Sequence, residues 1–441
     1  MKITLCILLF VTAFTALNAK SGDPIVLIYA DTLSGFKGNA GEVRVFNGNV
    51  HLKQGNVDVW CNTAYQYIED NRAELIGDVM ITQQTLTLYS EKVDYFGETA
   101  TAFAYEGVTI IDKSTKLTAN EGKYNLDRKI ADFSGDVVIE DDSATIHSDA
   151  VRHYRTTEES NAYGQVVIIA KQSNSILSGD TIKHYPDRNY TLAYGNPLFI
   201  QIDTVKVTEL IEISPDSTQV IEKQIIDSTV AIADTLEAYR SQGSEKYVFK
   251  NNVKIKKRNV SARAGFAEYK KSEDLISLTL TPIVWHDSTQ LHGDTIYVFI
   301  PEKKLRTIRS INKALALSRD HADAPQRINQ ISSGEILIDI FNDDISSITG
   351  KGEAKSLYFL GSEKNYDGAA KNAADKIEIR FDEGEPGNIH WTGAIQGEFF
   401  PENLIAGQPE KYYLPEFNWD AGKPVSSLFL KRIPKRLIQR K

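Results

Sequence analysis

The chain has 441 residues, 25% of them charged and 10% aromatic, with a formal net charge of −9. Its apolar and aromatic content excludes a disordered chain, and its acidic balance excludes a nucleic-acid binder, which needs a basic face for phosphates. Length alone fits several domains or one elongated all-β body equally well.

Residues 1–19 read as a secretory signal: Met1-Lys2, an apolar run from Ile3 to Leu17, then Asn18-Ala19 at the cut. The alternative is an uncleaved anchor, for which about fifteen apolar residues is short against the roughly 20 that span a bilayer. Cys6 follows Leu5, where a lipoprotein signal carries a small residue, so no lipid anchor is expected there. Cleavage removes Lys2 and Cys6, which takes the net charge from −9 to −10 and leaves Cys61 without a disulfide partner.

From near residue 25 to past residue 300 the sequence repeats. An apolar-x-apolar pair recurs at Val50/Leu52, Val79/Ile81, Val108/Ile110, Val137/Ile139 and Val166/Ile168, each step being 29 residues. A glycine precedes each pair, at Gly48, Gly77, Gly107, Gly135 and Gly164, with Gly107 displaced by one place. Val59, Leu88, Leu117 and Ile146 keep the same period, Ala73, Ala102 and Ala131 form a further column, and Tyr67, Tyr95, Tyr124, Tyr154 and Tyr185 follow with spacings of 28 to 31. Between the columns the period is two and Val, Ile, Thr and Tyr abound, which specifies strands. Each unit therefore predicts two strands joined by polar turns. A glycine inside a strand marks a bend, so glycines at one height, faced by Asn62, Ser90, Asn120, Ser148 and Gly179 on the second strands, fold the sheet into a V. The lining of that V is predicted to be the pairs from Val50/Leu52 to Val166/Ile168 together with Val59, Leu88, Leu117 and Ile146.

Downstream the pattern loosens: Val253/Ile255 continue it, as do Asp180-Thr181, Asp234-Thr235 and Asp294-Thr295, each leading to an aromatic. The expected segments are a first jelly-roll segment over 20–202, an irregular connection over 203–232, continuing repeats over 233–300, an irregular insertion over 301–332 with Ala314–Ser318 as a short helix or excursion, a C-terminal β segment over 333–422, and a basic tail over 423–441. The tail's lysines and arginines suit either anionic lipid headgroups or a solvated end.

These Gly-x-Val-x-Ile units resemble the OstA-like proteins of lipopolysaccharide transport, which include the periplasmic bridge protein and the N-terminal domain of the outer-membrane translocon. Arg327–Ile331, Ala354–Phe359, Phe399-Phe400-Pro401 and Phe417-Asn418-Trp419 are similar to the C-terminal half of the version found in Bacteroidetes-type bacteria. The resemblance implies an open, twisted β-jelly roll of antiparallel strands whose groove holds lipopolysaccharide or lipid A acyl chains. It also implies a periplasmic setting and end-to-end pairing with other jelly rolls of the bridge, with the translocon, or head to tail with itself. A translocon continues into a membrane barrel, whereas this chain stops at Lys441, so a bridge or accessory role is expected.

Nothing in the sequence points to chemistry. The eight histidines show no metal-ligand spacing, and no phosphate loop or nucleophile elbow occurs, so no metal, cofactor or catalytic residue is expected. His153 and His184, one repeat apart, read as sheet residues making hydrogen bonds, and Asp141 and Asp142 as turn residues. Two other classes stay open: a non-catalytic β-solenoid scaffold, which uses shorter parallel rungs, and a β-helical polysaccharide-acting enzyme, which needs converging carboxylates or a calcium site.

Overall fold

The computed structural model describes residues 25–438 apart from 39–40, 215–216, 242–243, 320–323, 363–364 and 383–384. The signal over 1–19 and the last three residues of the tail lie outside the described residues. Two compact units emerge, Met1–Phe199 with Ile433–Lys441, and Ile200–Arg432. Both are built of antiparallel strands, in the architecture of a β-jelly roll. Among the described residues no helix is long and apolar enough to cross a membrane.

The bend is a two-residue corner. In the strand Ile130–Glu140, Gly135 (φ 77°) and Asp136 (φ 46°) are both left-handed, and the pairing with Ala144–Tyr154 jumps from Ser134↔Ala150 to Val137↔Ser148. The backbone N–H of Asn120, on the preceding strand, donates to the carbonyls of Gly135 (2.9 Å) and Ser134 (3.1 Å). The same corner occurs at Gly48-Asn49, Gly77-Asp78, Glu106-Gly107, Gly164-Gln165 and Gly195-Asn196. At the displaced Gly107 the two residues have simply exchanged order. An Asx side chain faces most corners: Asn49 Nδ2 donates to Asp31, Asn62 Nδ2 to Asp78 and Asn196 Nδ2 to Asp180, at 3.0–3.1 Å. In the fourth and fifth units the facing residues are Asp149 and Asp180, one place beyond the expected Ser148 and Gly179.

A Cβ on Gly135 would lie 2.5 Å from Asn120 Nδ2 on a backbone that L-residues disfavour. Gly135→Ala is therefore expected to lower stability by about 2 kcal/mol, read as a shift in the urea midpoint.

The corners divide each strand between two arms. On Ile130–Glu140 the buried residues are Ala131 and Phe133 on one arm and Val137 and Ile139 on the other, while Ser134 and Glu140 face out. The core is the apolar sandwich between the arms.

The second unit repeats the plan with fewer glycines. Its corners are Asn251-Asn252, Leu280-Thr281, Asn312-Lys313, Gly352-Glu353 and Gly393-Ala394. Residues 203–232, expected to be irregular, lie largely in the strands Leu198–Ser214 and Ser217–Ile232, whose lengths of 17 and 16 residues obscured the repeat. The 301–332 insertion is irregular only in part. It contains the turn Pro301–Lys303, the strand Thr307–Ser318 and the start of Asn329–Phe341. Ala314–Leu317 read as a helix or excursion because all four are buried, on both faces of the sheet, so alternation is lost.

That second face is covered by residues 402–430, which run back across the strands outside the V. Ile405 and Leu414 pack on Leu357, Phe359 and Ala369, and Phe417 and Trp419 on Leu315, Leu317 and Ile328. The Leu414 N–H donates to Gln330 Oε1 at 2.9 Å. Asp420 pairs with Arg263, its carbonyl accepts from Gln290 Nε2 at 2.8 Å and its N–H donates to Gln290 Oε1 at 3.1 Å. The expected basic tail is likewise ordered in part. It forms the short helices Ser426–Leu430 and Lys435–Ile438, and Arg436 pairs with the corner carboxylates Asp136 (3.2 Å) and Asp149.

Candidate functional site

The strand register of the first unit brings the apolar columns into one line. Leu52 lies opposite Val59, Val59 opposite Ile81, and the row continues through Leu88, Ile110, Leu117, Ile139 and Ile146 to Ile168. Nine strands at about 4.8 Å spacing make this row roughly 38 Å long. One step nearer the corners, Val50, Val79, Val108, Val137 and Val166 are at most 2% exposed and face small residues such as Cys61, Ser90, Ala119 and Ser148. Burial is graded along the row: Leu52, Val59, Ile81 and Leu88 are half-buried, whereas Ile110, Leu117, Ile139, Ile146 and Ile168 are buried.

The opposite wall was not singled out from the sequence. It consists of Ala64, Leu75, Val93, Ala104, Tyr124, Phe133, Val151 and Ala162, all buried on the other arm. Its signal was present, since Leu75, Ala104 and Phe133 each stand two places after the alanine column. The tyrosine column divides between faces because its spacing departs from 29. Tyr124 points inward opposite Ala131, whereas Tyr67 points outward with the Arg72 guanidinium 4.1 Å above its ring.

Between the walls lies a cavity of about 60 Å³, lined by Ile81, Leu88, Val93, Val108, Ile110 and Phe133 among others. A smaller one of about 20 Å³ follows between Leu117, Phe133, Ile146 and Val151. The second unit has its own cavity of about 90 Å³ between its arms, with Ile331, Tyr358 and Ala370 on one side and Ile348, Ile379, Phe381 and Trp391 on the other.

The buried polar side chains of the first unit include two hydrogen-bonded histidines. His153 Nδ1 lies 2.9 Å from Ser160 Oγ and His184 Nδ1 lies 3.0 Å from Thr191 Oγ1, with Ser160 opposite both histidines in the register. Burial, reinforced by the Arg155 charge, pushes His153 down to about 4. Below pH 6.5 the unfolded chain then binds a proton that the folded chain resists. Stability is thus full above about pH 6.5 and falls as pH drops toward 4. Between pH 7 and pH 5 this residue should cost about 2 kcal/mol. In His153→Leu, the stability difference between those two pH values, read from urea melts, should shrink by that amount.

Asp141 accepts from the Ser143 and Ala144 N–H groups at 2.6 and 2.9 Å, as a turn carboxylate does. Among the described residues, no group of three or more His, Cys, Asp or Glu side chains could hold a metal ion. What the arrangement offers chemically is a long apolar surface folded on itself.

Residues 22–133 match the OstA-like protein family, and residues 116–304 match the LptA/(LptD N-terminal domain) LPS transport protein family. The chain belongs to the OstA-like family of lipopolysaccharide-transport proteins. Among solved structures, this OstA-like chain is similar to LptH, described as the LptA homologous periplasmic component of the conserved lipopolysaccharide transport device from Pseudomonas aeruginosa. The identity is 16% and the TM-score 0.26, over 32% of this chain and 95% of that one. No curated protein matches it.

Proposed function

We propose that this OstA-like chain is a non-catalytic periplasmic carrier that shields the acyl chains of lipopolysaccharide or lipid A between its arms and bridges toward the outer membrane. The observation that carries this reading is the nine-strand apolar row with its opposing apolar wall. Lipid tails ask only for apolar surface withdrawn from water, at about 25 cal/mol per Å². The cavities between the arms give acyl chains a place to enter, and separation of the arms would lengthen it. The graded burial supports easiest separation around the half-buried Leu52, Val59, Ile81 and Leu88.

The sheet margins supply the partner surfaces. The strands Val26–Tyr29 and Thr32–Gly38 pair only with Gly41–Gln54 in the described register, and Ile25, Val26, Ile28, Tyr29, Leu33 and Phe36 are all exposed. At the other margin the strand Gln396–Pro401 pairs, among the described residues, with Asn365–Asp382 and exposes Phe399. Unpaired edges of this kind are completed by a strand from a neighbour: another jelly roll of the bridge, the translocon, or a second copy of the chain. A photoreactive residue on the inner row should capture lipopolysaccharide in cells, and one on the outer face should not.

A further inference from the structure

In the second unit the two arms touch at their tips, and the contacts are ionic. The turn after the strand Ser244–Lys257 carries Arg258 and Asn259 at the tip of one arm. The turn between Asn329–Phe341 and Asp344–Ser362 carries Asp343 at the tip of the other. Arg258 pairs with the Asp343 carboxylate, while Asn259 Nδ2 (3.2 Å) and His286 Nε2 (2.9 Å) lie against the Asp343 carbonyl. A second crossing lies beside Lys257. Asp203 is 2.7 Å from Lys303, in the turn Pro301–Lys303 at the tip of the arm carrying Asp343, and 3.9 Å from Lys257, which is itself 2.8 Å from Asp227. Asp203 and Asp227 are each only 4% exposed.

This chain of charges continues the apolar lining. Val253, Ile255 and Lys257 alternate onto one face of their strand, with Ala264 opposite Val253, Ala262 opposite Ile255 and Thr229 opposite Lys257. The inner surface therefore runs from buried apolar side chains near the corner to an ammonium at the mouth. That gradient matches an amphiphile whose chains lie deep and whose anionic head sits at the rim.

We infer that Lys257, Arg258 and Lys303 form a phosphate seat at the mouth of the second unit, for the phosphate monoester of an acylated lipid. The proposal rests on the reading of the interior as an acyl groove. Arg258 and Lys303 are each held by one carboxylate and Lys257 by two, and a phosphate offers three acceptor oxygens, more charge and bidentate geometry toward arginine. Replacing Asp343 and Asp203 by phosphate exchanges one ion pair for another at Arg258 and Lys303, and the buried Asp203 keeps Lys257, 3.9 Å away, as its partner. The same exchange releases the arm carrying Asp343 and Lys303 from the arm carrying Arg258 and Asp203. Head-group binding and opening of the mouth are then one event, and a lipid without phosphate meets a closed rim.

The test is equilibrium binding to the purified full chain of three probes: bisphosphoryl lipid A, its phosphate-free counterpart, and phosphatidic acid. The native chain should prefer bisphosphoryl to phosphate-free lipid A by about tenfold. Arg258→Gln combined with Lys303→Gln removes both cross-arm pairs, so it should abolish that preference by weakening bisphosphoryl lipid A while phosphate-free lipid A binds at least as well as to the native chain. Asp343→Asn removes a competitor at an exposed position, so it should tighten phosphorylated lipid about threefold, whereas a merely structural latch would move both lipids alike. Phosphatidic acid bound as tightly as lipid A would make the seat general for phosphate monoesters, and its exclusion would make lipid A the source. An unchanged preference in the double variant, or equal weakening of both lipids in Asp343→Asn, overturns the seat and leaves the groove standing. Failure of every lipid to bind overturns the groove and the seat together.

Discussion

A chain ending at Pro401 is expected to lose the cooperative unfolding transition of its second unit. Residues 402–430 cover the outer face of the strands Ile283–His286 and Thr289–His292, all eight residues of which are buried, and of Ala314–Leu317 beside them. Removing the segment bares Leu315, Leu317, Leu357, Phe359 and Trp285, each at most 5% exposed in the intact chain. At about 1.5–3 kcal/mol for each large apolar side chain returned to water, the loss rivals the whole stability of an ordinary domain. It also strands Arg263 and Gln290 without Asp420, and takes from Arg319 the Trp419 ring that it covers at 4.5 Å. Urea unfolding with limited proteolysis checks this. The truncated chain should be cleaved throughout 200–401 while its first unit resists, and a truncated chain that melts like the intact one would show the segment to be dispensable.

Ile81→Asp is expected to reduce lipopolysaccharide affinity by at least about tenfold while the chain still folds. Ile81 is half-buried and borders the first unit's cavity, so an aspartate there can keep water and need not be buried bare. What it does remove is the continuity of the apolar row between Val59 and Leu88, by setting a fixed negative charge where acyl chains would lie. Met80→Asp, on the outer face of the same strand, carries the same charge change and should leave affinity within about twofold. Equal losses in the two variants would point to charge or folding, with the groove playing no part.

The corners explain how far the sequence could be read. Where the left-handed pair contains glycine, as at Gly48, Gly77, Gly135 and Gly164, the 29-residue period stands out and both bend and lining follow from it. Where the pair is Asn251-Asn252, Leu280-Thr281 or Asn312-Lys313, the bend persists with no glycine to mark it. What survived in the sequence was the facing aspartate, seen as Asp234-Thr235 and Asp294-Thr295. Asp234 accepts from Asn252 Nδ2 at 2.7 Å, the same hydrogen bond that links Asp180 to Asn196. The opposing wall escaped because its side chains range from alanine to tyrosine and share a size only with their partners across the groove. The 402–430 segment has no period at all, since it crosses the strands and meets each one once. The contacts at the mouth join residues 85 positions apart, as Arg258 and Asp343 are, and no local pattern announces them.

The central claim is that lipid lies between the arms, and photocrosslinking in cells tests it most directly. Reactive residues would stand at Ile81, Leu88 and Val108 on the inner row, at Met80 and Tyr89 on the outer face of the same strands, and at Asp78 on a corner. The account predicts lipopolysaccharide adducts from the first three positions and none from the other three. Adducts spread equally over both sets, or absent from all six, would contradict it and leave a closed structural jelly roll in its place.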